Sequence, residues 1–333
     1  MQQEQIDPRA ENVSPENLLT VQNLSVSFSG GVQALSDLSF SVRPGESFAL
    51  VGESGCGKST TARAIMRLIR APGRITGGKV LFEGRDLLSL PEQDMSTIRG
   101  KSIGMIFQNP LDSLNPVYRV GSQVEEAMIH HGVSRAEARK RTLQLFRDVE
   151  IPDAERRMQS YPHELSGGMR QRVMIAMMLS QSPQLLIADE PTTALDVTVE
   201  AQILEIMKEM REKTGTSILL ITHNFGIVAE VADRVGIMYA GELVECGDVY
   251  QVFENPAHPY AQALLSSLPR IRKTEGRIQT IEGNVPRILE KKAECRFANR
   301  CPYATEQCRT QKPPVRELGG GHWIACHREV ARA

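Results

Sequence analysis

An open α/β fold is what the sequence predicts, and three observations predict it. The first is the stretch Gly52-Glu53-Ser54-Gly55-Cys56-Gly57-Lys58-Ser59-Thr60, which comes after the apolar run Ser47–Val51 and precedes a helix-like pattern over 61–69. Strand, glycine-rich turn and helix are the setting in which G-x-x-x-x-G-K-[ST] cradles phosphates. The second is a pair of short apolar runs, 184–188 and 216–221, without the polar alternation of a half-solvated strand, as strands covered on both faces require. The third is the polar residue set at the end of each such run: Gln108 after 101–107, Asp189-Glu190 after 184–188, and Thr222-His223 after 216–221. Ligands of open α/β sheets bind at the carboxyl ends of the strands.

Bulk properties fit a globular chain. Charged residues make up 24% of the 333 and hydrophobic ones 41%, enough for one large domain and a smaller one. The formal net charge of −1 gives no whole-protein electrostatic reason to expect nucleic acid. No apolar run approaches the ~20 residues of a membrane helix. Residues 1–17 are polar, lack an apolar signal core and read as a flexible tail. The expected address is therefore cytosolic, or on a membrane through partners alone.

Taken in order, Val21, Leu24, Val26 and Phe28, then Leu35, Leu38, Phe40 and Val42, alternate with polar residues, predicting antiparallel strands of a small sheet. Phe28 is either a stacking platform for an adenine ring or a core phenylalanine. In the phosphate loop, Gly52, Gly55 and Gly57 allow the sharp turn that aims backbone N–H groups inward. Lys58 would reach the β- and γ-phosphates, and Ser59 would hold Mg²⁺. Residues 79–82 read as a strand followed by the Glu83-Gly84 turn. Gln108, beside the Asn109-Pro110 break, is placed to touch a metal or water, or is an ordinary loop glutamine. Helical spacing over 120–128 and 135–149 predicts a helical insertion. Leu165-Ser166-Gly167-Gly168-Met169 then opens a further helix; this is either a second anion site, serving the nucleotide of a neighbouring subunit, or a plain N-cap. Asp189 is placed for Mg²⁺ and Glu190 as general base towards the attacking water. Three strands delivering polar residues to one rim argue for a single ATP site.

GESGCGKS, Gln108, LSGGM, LLIADE, Ala194-Leu195-Asp196 and His223 stand in the order and spacing of ABC-transporter ATPase subunits, which residues 18–265 resemble. The resemblance implies a RecA-like core, an antiparallel β subdomain and a helical subdomain at about 110–180. It also implies a head-to-tail dimer in which ATP lies between the phosphate loop of one ATPase and Ser166-Gly167-Gly168 of the other. Asp196 would lie at the dimer seam, His223 would contact the γ-phosphate, and Gln108 with 109–119 would relay the change to a membrane subunit. Met169 stands where glutamine is commonest, and Asn224 where aspartate is usual.

The tail narrows the branch. Residues 255–265, the Cys295-Arg-Phe-Ala-Asn-Arg-Cys301 segment, Cys308 and Cys326-His327 resemble dipeptide/oligopeptide importer ATPases with their small cysteine-rich C-terminal extension, here 266–333. Such importers pair two non-identical ATPases with two membrane permeases and an external binding protein at the bacterial inner membrane. Relatives carry nickel, glutathione or antimicrobial peptides, and a soluble ABC ATPase of DNA repair or translation is the reading from another class. The cysteine gaps of five, six and seventeen residues match no common zinc or ferredoxin spacing. Four thiolates in a core-poor segment still predict a metal staple. The resemblance favours a 4Fe-4S cluster on Cys295, Cys301, Cys308 and Cys326; zinc is the alternative, with His322 or His327 as substitute ligands.

Overall fold

The structure is a computed structural model, and residues 16–108, 114–192, 197–267, 283–286, 288–289 and 293–329 are described. The described residues fall into two compact units, one from 16–43, 47–89 and 222–329 and the other from 44–46 and 90–221.

The first unit begins with the predicted antiparallel sheet. Its strands are β1 (Leu19–Ser27), β2 (Gln33–Val42), β4 (Arg74–Phe82) and β5 (Arg85–Asp86), in the order β2-β1-β4-β5. Apolar alternation sets the register, with Val21 opposite both Phe40 and Val80 and Leu19 opposite Val42 and Phe82. The same unit holds β3 (Ser47–Val51), buried along its whole length, and α1 (Lys58–Ile65), with the phosphate-loop sequence between them.

The second unit carries three parallel strands. After α2 (Glu92–Ile98) comes β6 (Ile103–Ile106), then α3 (Val120–His130), α4 (Arg135–Asp148), the short α5 (Ala154–Arg157) and α6 (Gly167–Leu179). The chain returns through β7 (Leu185–Asp189), α7 (Val197–Thr214) and β8 (Ser217–Thr222). β7 pairs in parallel with β6 on one side and β8 on the other. Every residue of the three strands is buried, which accounts for their lack of alternation. Between β6 and β7, α3, α4 and α6 pack on one another as the predicted helical insertion. Arg172 of α6 is buried among them, donating to the Val149 carbonyl at 2.5 Å and to Gln202 Oε1 at 2.7 Å.

The chain then rejoins the first unit through α8 (Phe225–Val231), β9 (Arg234–Tyr239), β10 (Glu242–Asp248), α9 (Val249–Glu254) and α10 (Pro259–Ser266). β9 runs parallel to β3 and forms a hairpin with β10. The C-terminal segment adds α11 (Glu306–Thr310), β11 (Val315–Gly319) and β12 (His322–Ala325). β12 pairs with β10, so the strands of this unit run β11-β12-β10-β9-β3. Phe297, 2% exposed, enters the core formed by β3, β9 and α10, its ring 5.1 Å from Tyr239 and 5.3 Å from Tyr260. The described part of the extension thus shares strands and core with the unit that bears the phosphate loop. Among the described residues, no helix is long and apolar enough to cross a membrane.

Candidate functional site

Buried β3 drives straight into the loop, and α1 leaves from Lys58 itself. Gly57 has φ +110°, and a Cβ there would lie 2.7 Å from the Ala34 carbonyl oxygen, so the turn needs glycine on two grounds. A Cβ on Gly52 would run into the Met238 carbonyl oxygen. Ser54 and Gly55 are exposed, and open space surrounds the position of a Gly55 Cβ. Ser59 and Thr60 are half-buried in the first turn of α1. Lys58 is only 5% exposed, and its Nζ donates to the carbonyls of Gly52 (2.7 Å) and Glu53 (3.1 Å). The ammonium therefore already points across the turn, into the ring of backbone that a phosphate would occupy. Burial pushes the neighbouring Cys56 thiol up, against the pull of Lys58.

Glu53, absent from the sequence-based site, is the most heavily held residue of the loop. Its N–H donates to Tyr260 Oη at 3.0 Å, and Arg300 grips its carboxylate at 2.6 and 3.0 Å. Both partners lie more than 200 positions along the chain, so spacing carried no signal of them; Tyr260 was visible only as part of the resembling 255–265 stretch.

In the second unit, parallel pairing of β6 with β7 brings Gln108 and the Asp189-Glu190 pair to the same strand ends. Asp189 is 1% exposed at the last position of β7. Glu190 sits at φ +48°, its N–H bound to the Ile221 carbonyl at 2.8 Å, and its Oε2 accepts from Gln108 Nε2 at 2.9 Å. The left-handed turn redirects the chain right after the strand, so the two adjacent carboxyls sit in different surroundings. Ser166 is exposed and caps α6, its Oγ accepting from Met169 N at 3.3 Å, while Leu165 is buried beneath it. The capping role is thus real, and the glycines next to it start a thirteen-residue helix.

His223 is exposed just after β8. Asn224, where aspartate was expected, caps α8 by accepting from Gly226 N at 2.9 Å, a local task either side chain performs. Phe28 is half-buried at the end of β1, with its ring packed on Gly73. Residues 109–113 of the relay segment, and Asp196 with 193–195, lie outside the described residues.

The metal staple expected of the cysteines is not met. Cys295, Cys301, Cys308 and Cys326 border one cavity of about 170 Å³. Yet among the described residues no group of three or more His, Cys, Asp or Glu side chains could hold a metal ion, which removes both the iron–sulfur and the zinc expectation. Burial pushes the Cys295 thiol up to about 12 and raises those of Cys301 and Cys326. His322 is engaged elsewhere, its Nε2 at 2.7 Å from Glu245 Oε1, and His327 Nε2 is 3.1 Å from the Gln311 carbonyl. Strand pairing, Phe297 and buried arginines hold the described part of the extension.

A family model described as ABC transporter matches residues 35–193, and one described as oligopeptide/dipeptide transporter, C-terminal region, matches 244–308. The chain is 49% identical to a probable peptide ABC transporter ATP-binding protein of Sinorhizobium fredii, over 95% of this chain and 96% of that protein. It is 47% identical to the oligopeptide transport ATP-binding protein OppD of Salmonella typhimurium, over 97% and 96%. Among solved structures it resembles cbiO1 of Clostridium perfringens, part of an ABC transporter complex (TM-score 0.64, 28% identity, 72% of this chain and 92% of that one). It also resembles the ABC cassette MJ0796, whose dimer was solved with ADP and phosphate (TM-score 0.63, 28% identity, 69% and 98%).

Proposed function

The chain belongs to the family of ABC-transporter ATPase subunits, and on that premise we propose that it powers the import of di- and oligopeptides by hydrolysing ATP. The substrate class is supported by the match of 244–308 to the C-terminal region of oligopeptide/dipeptide transporters, together with near full-length identity to peptide-transport relatives.

Gly52, Ser54, Gly55, Cys56, Gly57, Lys58, Ser59 and Thr60 form the cradle for the triphosphate, and Phe28 stacks on the adenine. Lys58 exchanges two backbone carbonyls for phosphate oxygens when ATP enters. Ser59, Gln108 and Asp189 are the oxygen-bearing side chains for Mg²⁺, which supplies charge neutralisation at the phosphates. Glu190 takes the proton of the attacking water, and His223 steadies the γ-phosphate. The observation carrying this chemistry is the Gln108–Glu190 hydrogen bond beside buried Asp189: an amide holds the base in one orientation, next to a carboxylate of different environment.

Leu165-Ser166-Gly167-Gly168-Met169 serves the ATP of a second, non-identical ATPase, with Asp196 at the seam. Two permeases carry the pair on the cytoplasmic face of the bacterial inner membrane, and an external binding protein delivers the peptide. The test is Glu190→Gln in the assembled transporter. ATP binding is retained while hydrolysis falls by about 10²- to 10⁴-fold; hydrolysis at the wild-type rate removes Glu190 from its role.

A further inference from the structure

The phosphate loop is braced by the cysteine-rich segment, a contact that no step assigned above uses. Two arginines make it. Arg300, with a side chain only 7% exposed, forms the bidentate pair with Glu53. The same guanidinium lies 5.7 Å over the ring of Tyr239 and donates to the Gly283 carbonyl at 3.0 Å. Four residues earlier, Arg296 pairs with Glu242 at 3.2 Å and donates to the Ala240 carbonyl. The next residue of that β9–β10 turn, Gly241, donates its N–H to the Cys56 carbonyl at 2.8 Å. The segment thus reaches residue 53 directly and residue 56 through the turn.

Glu53 is an odd residue to find between Gly52 and Ser54 in a cradle for anions. Its own carbonyl is a contact of the Lys58 ammonium, so its carboxylate is one side chain away from where phosphates bind. Left unmatched, that charge would oppose a polyphosphate. A planar guanidinium both cancels the charge and fixes its geometry, because two parallel N–H···O bonds set orientation as well as distance.

We propose that Arg300 is a positioning residue for nucleotide binding: by pairing with Glu53 it cancels the charge Glu53 would set against the incoming phosphates, so that the C-terminal extension tunes the affinity for ATP. The inference rests on the reading of residues 52–60 as the ATP cradle.

The experiment measures kcat and KM for ATP in the assembled transporter carrying Arg300→Met, Arg300→Lys, Glu53→Gln or the double variant Glu53→Gln/Arg300→Met, with Lys58→Ala as the control for the cradle. Arg300→Met raises KM by about tenfold, equivalent to about 1.4 kcal/mol, with kcat within about twofold. Arg300→Lys, which keeps the charge without the fork, falls between it and wild type. Glu53→Gln alone leaves KM at or below the wild-type value, and the double variant returns KM to within about threefold of wild type. If Arg300→Met binds ATP as wild type does while Lys58→Ala has lost it, the cradle stands and the proposal falls. A double variant as impaired as Arg300→Met also overturns it, since the arginine is then a packing element and not a charge partner. Lys58→Ala with unchanged ATP affinity overturns the cradle and the proposal together.

Discussion

Replacing Glu245 by alanine should cost about 4 kcal/mol and loosen the C-terminal strands first. Glu245 lies in β10 with no solvent exposure, and its carboxylate meets three nitrogen groups at once. Oε1 accepts from Ala257 N at 2.9 Å and lies 2.7 Å from His322 Nε2 of β12, while Oε2 accepts from His258 N at 2.7 Å. Hydrogen bonds to a charged group contribute about 1.5–3 kcal/mol each, and a buried donor left without an acceptor costs about 1–3 kcal/mol. Three such donors cannot all be lost at full value, because the cavity admits some relaxation; the ~3–5 kcal/mol typical of breaking a buried charged contact sets the scale. Glu245→Gln keeps one oxygen for Ala257 and His322 but sets an amide N–H against that of His258, so about 2 kcal/mol is expected. The chain has a single tryptophan, Trp323, 2% exposed and opposite Cys246 in the β10–β12 pair. Its emission therefore reports this seam. In denaturant titrations of Glu245→Ala, the Trp323 red shift should precede the loss of helical circular dichroism. A change below about 1 kcal/mol, or coincident transitions, would refute the reasoning.

Two further perturbations test the loop and the packing behind it. Gly57→Ala forces φ +110° on a residue whose Cβ meets Ala34 O at 2.7 Å and Met238 Cε at 2.8 Å. A loss of about 2 kcal/mol in stability and a fall of more than about tenfold in ATP affinity are expected, and wild-type nucleotide titrations would contradict them. His258 is fully buried, accepts from Tyr260 N on Nδ1 at 3.1 Å, and is pushed down to about 3 by burial from the usual 6.5. The folded chain therefore refuses a proton the unfolded chain accepts. The stability this carries is complete above pH ~6.5 and is lost as pH falls towards 3, at about 1.4 kcal/mol per pH unit. His258→Asn keeps an N-cap acceptor and removes this slope; parallel curves of unfolding midpoint against pH for the two proteins would sink the assignment.

The loop and the central strands were legible because their signals are local. A Gly-rich turn between a strand and a helix, and the unbroken apolar runs of β7 and β8, need no partner to be recognised. β4 was read only over 79–82, since Gly77 and Gly78 interrupt the pattern that begins at Arg74. The strands of the extension went unread for a related reason: Val315–Gly319 and His322–Ala325 are short, and only pairing with β10 makes them strands. The Arg300–Glu53 grip joins residues 247 positions apart and has no sequence signature at all. The cysteines misled in the opposite sense. Four thiols in a core-poor segment suggested a metal, but Phe297, Trp323 and Ile324 supply a core that composition did not reveal.

β12 also settles what happens to the outer side of β10. Without it, the part of β10 at Glu245 and Cys246, which β12 pairs, would present unpaired N–H and C=O groups along its outer side. Such a row invites strands from other molecules. The C-terminal strands thus move the open edge of the sheet from buried β10 to the short, partly exposed β11, and a chain shortened before β11 would gain a tendency to polymerise along with whatever it lost at the nucleotide.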